Sequence, residues 1–261
     1  MSERGAKTAV GVLDSGVGGL SVLREIHHLL PACRTLYYAD EGHLPYGTKP
    51  LDEIRAYVED IARFLIYQGA GVIVLACHAA SAASLRELRQ SFPDVRFVGI
   101  EPAVKPAAER TRSGVIGVLT THATAQGALY RGVVERFAQD VRVITQPAPE
   151  LVWLVEQGRL DTPETAAQLR HYVQPMLDAG ADQIVLACTH FPFLAPALRR
   201  LVGERAALVD PGPAVAQQTA RLMSGAACDA PPHRYFTSGD PAHLRRMLRN
   251  LIGVESEVEA V

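Results

Sequence analysis

The stretch GVIVLACHAAS at residues 71–81 returns 111 positions later as DQIVLACTHFP at residues 182–192, and each copy runs IVLAC into a cysteine. An unbroken apolar, β-branched run of this length is the pattern of a strand buried on both faces of a parallel sheet. Two such strands could share a sequence by chance, but the agreement extends outward. Over Gly69–Cys77 against Gly180–Cys188, seven of nine positions are identical. GVLDS from Gly11 and GVLTT from Gly117 open the two halves, while GIEPA and LVDPG follow the cysteines. Glu101 lies 24 residues past Cys77 and Asp210 lies 22 past Cys188, each before a proline. The chain thus reads as one set of βα units used twice.

Between these landmarks short strand-like runs alternate with amphipathic stretches: AVGVLD, LSVLREIHHLL, TLYYAD, DEIRAYVEDIARFLIYQG, VIVLAC, HAASAASLRELRQSF and VRFVGIEP, before SGVIGVLTT restarts the rhythm. Alternating β and α segments predict an α/β fold with mostly parallel sheets and helices on their faces. The stretch Pro211–Val261 has no counterpart in the repeat. It is expected to be helical and to pack on the first half.

Lys plus Arg at 26 against Asp plus Glu at 28 leaves a formal charge of −2, which argues against nucleic acid or an anionic membrane as partner. No apolar run has the ~20 residues of a membrane span, and MSERGAKTAV lacks the pattern of a secretory signal. A cytoplasmic protein acting on a small molecule is expected. Four cysteines, Cys33, Cys77, Cys188 and Cys228, are too scattered for a disulfide framework, so all four are expected as thiols.

In parallel α/β sheets ligands bind beyond the carboxyl ends of the strands, where Cys77 and Cys188 fall. A helix beginning just after each would favour thiolate. Two similar halves facing across a cleft would present one thiol from each side. That suits inversion at the α-carbon of an amino acid, in which one thiolate removes the proton and the other thiol delivers one to the opposite face. The loops DSGVGG and TTHAT offer hydroxyls and N–H groups to the carboxylate.

GVLDSGVGGLSVL, LPYGTKP, ACHAAS, GIEPAVKPA, GVLTTHAT, LACTHFPFL, LVDPG and FTSGDP together closely resemble the cofactor-independent glutamate racemases, over nearly the whole chain. The resemblance implies two pseudo-symmetric three-layer α/β domains, residues 1–99 plus 211–261 and residues 100–210, with the active site in the cleft between them. It implies interconversion of L- and D-glutamate for peptidoglycan without cofactor or metal. A small-molecule amino acid would be the partner, and a homodimer would be compatible with it. Cys77 would serve the D-isomer and Cys188 the L-isomer, with Asp14 assisting Cys77, and His190 with Glu150 assisting Cys188. Substrate would meet Asp14, Ser15, Pro45, Tyr46, Gly47, Thr121, Thr124, Thr189 and His190. Where the family reads Cys-Asn-Thr-Ala-Ser, this chain has Cys77-His78-Ala79-Ala80-Ser81, so His78 and Ala79 stand at that contact. A lost hydrogen bond to a carboxylate costs ~1.5 to 3 kcal/mol, which bears on substrate and rate.

Other readings compete. DSGVGG invites a nucleotide, but Gly16, Gly18 and Gly19 do not fit G-x-G-x-x-G, because Ser21 stands at the third glycine. Cys77, His78, Cys188 and His190 are zinc ligand types without the compact C-x-x-C spacing. A racemase of aspartate, or a racemase-like fold that binds its ligand without turnover, is the alternative function.

Overall fold

The computed structural model describes residues 9–225 and 232–261. The first half contains β1 (Ala9–Asp14), α1 (Leu20–Leu29), β2 (Thr35–Ala39), α2 (Leu51–Tyr67), β3 (Ala70–Leu75), α3 (His78–Ser91) and β4 (Arg96–Gly99). The second half contains α4 (Val104–Arg110), which packs on the second sheet, β5 (Val115–Thr120), α5 (His122–Gln126), α6 (Ala128–Phe137), β6 (Arg142–Pro147), α7 (Pro149–Glu156), α8 (Pro163–Asp178), β7 (Gln183–Leu186), α9 (Ala195–Val202) and β8 (Ala207–Val209). The chain then continues through α10 (Gly212–Met223), β9 (Arg234–Thr237), α11 (Pro241–Ile252) and β10 (Val258–Ala260).

Two sheets result, ordered β10-β9-β2-β1-β3-β4 and β6-β5-β7-β8, with every strand pair parallel. The repeat holds at the level of register. Gly11 lies opposite Ile73 and Leu13 opposite Leu75, just as Gly117 lies opposite Ile184 and Leu119 opposite Leu186. The IVLAC runs are therefore equivalent strands paired with equivalent neighbours.

Their apolar character follows from burial on both faces. Val72 and Val74 enter one core while Ile73 and Leu75 enter another, because successive side chains point to opposite sides of a strand. The core that holds Val72 and Val74 continues through Leu151, Val155, Ile184, Leu186 and Phe191 of the second half. One apolar body thus ties the two sheets together, and burial of this kind contributes about 25 cal/mol per Å².

The stretch after Pro211 departs from its helical expectation. Besides α10 and α11 it supplies β9, which pairs with β2 (Tyr37 opposite Tyr235, Tyr38 opposite Phe236), and β10, which pairs with β9. Tyr235 and Phe236 are each 1% exposed, so four residues suffice for a buried strand, too few to show a period in the sequence. Cys33 is disulfide-bonded, which corrects the expectation of four thiols, whereas Cys77 and Cys188 are free. Cys228 lies outside the described residues.

Candidate active site

In each half the chain leaves the central pair of strands in opposite directions, β1 toward β2 and β3 toward β4, β5 toward β6 and β7 toward β8. Such a reversal opens a crevice beyond the carboxyl ends of the central strands. Ser15 follows β1 and Cys77 follows β3; Thr121 follows β5 and Cys188 follows β7. The four converge on one cavity of about 310 Å³ of empty space, part of it open to solvent. Pro45, Tyr46, Gly47, His78, Ala79, Thr124, Val152, Thr189 and His190 complete its lining.

The second cysteine is backed by a histidine and an acid. Cys188 Sγ lies 3.6 Å from His190 Nδ1, and His190 Nε2 lies 2.6 Å from Glu156 Oε1. Glu156 Oε1 also accepts the Val17 N–H at 3.0 Å. Burial opposes charge on His190, but the Cys188 sulfur and the Glu156 carboxylate outweigh it and hold the imidazole well above its ordinary value. Burial likewise opposes charge on Glu156, yet His190 and His243 bring it down to about 2. The result is a buried imidazolium–carboxylate pair aimed at the Cys188 sulfur.

The first cysteine is differently furnished. Cys77 precedes α3 as its N-cap residue, and Ser15 Oγ stands 3.9 Å from its sulfur. Burial pushes the Cys77 thiol up, the Asp14 charge adds to this, and the N–H of Ala80 only partly offsets them. Asp14 does not line the cavity. It is fully buried, accepts Gly16 N–H and Thr189 Oγ1, each at 3.0 Å, and is pushed up to about 6 by that burial. His78 faces the cavity with neither ring nitrogen partnered within the protein, and burial lowers it to about 3. A neutral imidazole there can donate from one nitrogen and accept at the other.

Loops from both halves close the walls. Tyr46 OH donates to Asp40 Oδ2 at 2.5 Å and Ser238 Oγ donates to Asp40 Oδ1 at 2.6 Å, which fixes the turn carrying Pro45, Tyr46 and Gly47. Thr121 caps α5 through its hydroxyl, which accepts Thr124 N–H at 3.4 Å and donates to Thr124 Oγ1 at 3.1 Å. The glycines of DSGVGG serve close approach rather than a phosphate. A Cβ on Gly18 would fall 2.5 Å from His190 Nδ1 and 2.6 Å from Thr189 Oγ1, and one on Gly16 would strike Glu156 Oε1.

Two expectations need correction. Glu150 is not the acid on His190: it accepts from Tyr172 OH, and Glu156, at the far end of the same helix, takes that place. Glu156 was missed because an acid closing an apolar helix resembles a solvated one. The usable signal was its four-residue spacing from Val152, which sets both on one face of α7. No helix begins at Cys188, because Phe191–Leu194 form a 3-10 turn before α9. Cys77, His78, Cys188 and His190 line one cavity, and among the described residues the close donor set is instead Glu41, Glu156 and His243.

Comparison with known proteins places this geometry. The glutamate racemase of Ectopseudomonas mendocina is 49% identical over 257 residues, 97% of this chain and 98% of that one. The fold matches the crystal structure of Escherichia coli glutamate racemase in complex with L-glutamate and the activator UDP-MurNAc-ala with a TM-score of 0.86, at 33% identity, covering 97% and 98% of the two chains. It also matches the glutamate racemase from Thermus thermophilus in complex with beta-chloro-D-alanine, with a TM-score of 0.80 at 34% identity over 98% and 97%. Among the described residues no helix is long and apolar enough to cross a membrane. Residues 10–219, which include both cysteines, both central strand pairs and the His190–Glu156 pair, match the Asp/Glu/Hydantoin racemase family, and the chain belongs to that family.

Proposed function

We propose that the chain interconverts L- and D-glutamate by passing the α-proton between Cys188 and Cys77, supplying D-glutamate for peptidoglycan. The observation that carries this reading is two cysteines from equivalent strand ends lining one cavity. With L-glutamate bound, Cys188 as thiolate takes the α-proton and the Cys77 thiol gives its own to the opposite face. Cys188 ends as thiol and Cys77 as thiolate, and the D-isomer reverses the order. His190, held as an imidazolium by Glu156, faces the Cys188 sulfur and pairs with the thiolate that takes the α-proton. Asp14 acts on Cys77 through its charge and on Thr189 through its hydrogen bond. Ser15, Thr121, Thr124, Thr189, His78 and the backbone of Pro45–Gly47 and Ala79 supply contacts to the substrate. Preorganised donors of this kind lower the cost of the carbanion.

The test is proton exchange. Either isomer of glutamate in deuterated water should gain deuterium at the α-carbon, and Cys77→Ser or Cys188→Ser should each lower racemisation by about 10² to 10⁴-fold. Activity should survive chelation. An intact enzyme that binds glutamate without exchanging its α-proton would make the chain a non-catalytic binder. A cytoplasmic location and a homodimer belong to the same reading, and light scattering of the purified chain measures the latter.

A further inference from the structure

Racemisation as proposed employs one oxygen of Glu156. The other, Oε2, faces His243 Nε2 of α11 at 3.7 Å, and Glu41 Oε1 faces the same nitrogen at 3.5 Å. Glu41 is held from behind by Thr237 Oγ1, which donates to its Oε2 at 2.7 Å, while its Oε1 is buried with no hydrogen-bond donor. The Glu41 and Glu156 side chains are 8% and 5% exposed, and that of His243 is 26% exposed. Two buried carboxylate oxygens therefore share one ring nitrogen.

The tautomer follows from the other side of the ring. Arg246 Nη2 lies 2.9 Å from His243 Nδ1, and a guanidinium can only donate. Nδ1 accepts, so the ring proton sits on Nε2 and points between Glu41 and Glu156. The charged groups around the ring are these two carboxylates, Arg246 of its own helix, and Asp240 at the start of that helix, which acts on Glu41. Glu156 chiefly pushes His243 up, and burial pushes Glu41 up to about 7.

We infer that His243 is a positioning residue for the Cys188 side of the site: it anchors the second oxygen of Glu156 so that the first stays on His190, and Glu41 anchors His243 in turn. This rests on the racemase reading. A carboxylate held at one oxygen can rotate about its own bond, and its histidine turns with it. A displacement of this kind several bonds from the reacting atom changes the rate more than the binding. The arrangement also joins separate parts of the chain, because Glu41 follows β2, Glu156 ends α7 and His243 lies on α11.

Kinetics on the full chain test it, with glutamate as substrate, in both directions and across pH, and with melting temperature as a control for folding. His243→Leu should lower kcat about 10-fold or more while KM stays within about twofold, and should move the limb of the kcat–pH profile set by His190. His243→Gln, which keeps an N–H near the Nε2 position, should recover kcat to within about threefold of the wild type. Glu41→Gln should lower kcat by less, and added to His243→Leu it should cost nothing more, as expected of two groups acting in series. Wild-type kcat and pH profile in His243→Leu would overturn the inference, as would a loss that follows the melting temperature and is not recovered by Gln. A wild-type enzyme that exchanges no α-proton would instead overturn the racemase reading.

Discussion

His78 carries two ring nitrogens into the cavity, neither of them bonded to another protein group, at 3% exposure. His78→Leu should raise KM for glutamate about 10-fold, the equivalent of one lost hydrogen bond to a carboxylate. A folded variant with unchanged KM would show that His78 does not touch substrate. Asp14 makes a related case. Its carboxyl rises from 3.8 to about 6 on folding, so the native state holds a proton that the unfolded chain has released. Stability thus falls as pH rises through that window, by about 3 kcal/mol as an order of magnitude. Asp14→Asn should be the more stable protein in urea at pH 8, lose that advantage below pH ~4, and lose activity throughout.

Among the elements, the two copies of the cysteine strand differ most at their entry. Gly71 of the first copy is matched by Asp182, whose carboxylate accepts from Thr111 Oγ1 at 2.5 Å, Arg112 N–H at 2.7 Å and Ser113 N–H at 3.0 Å. It pins the turn that leads into β5. Asp182→Ala should cost about 1 to 2 kcal/mol in a denaturant melt and leave kcat unaltered, since the turn lies at the opposite end of β5 from Thr121. Strands and their equivalence were legible in the sequence because burial on both faces writes itself as an unbroken apolar run. β9 was not legible, being four residues long with burial supplied by β2. The 3-10 turn after Cys188 was hidden by its likeness to a helix start, with a proline near the front and aromatics that pack inward.

For the whole molecule, the legible part of the site is the part lying at strand ends, where topology alone predicts a crevice. Cys77, Cys188, Ser15, Thr121 and Thr189 are all of this kind. Glu156 and His243 reach the site from helices, and depth of burial has no signature in a single acid or histidine. The halves also meet through backbone too close for side chains, as at Gly18 beneath Thr189 and His190. Gly18→Ala should displace both residues and lower kcat on the order of 10²-fold, with a modest loss of stability. Unchanged kinetics would mean that the two halves can separate there without harm.

The first sheet takes its last two strands from residues after 233, beyond the whole of the second half. On a ribosome the second half can therefore close its sheet while the first still waits for an edge, and α11 emerges only after that edge has begun. A growing chain holds both cysteines long before it holds His243.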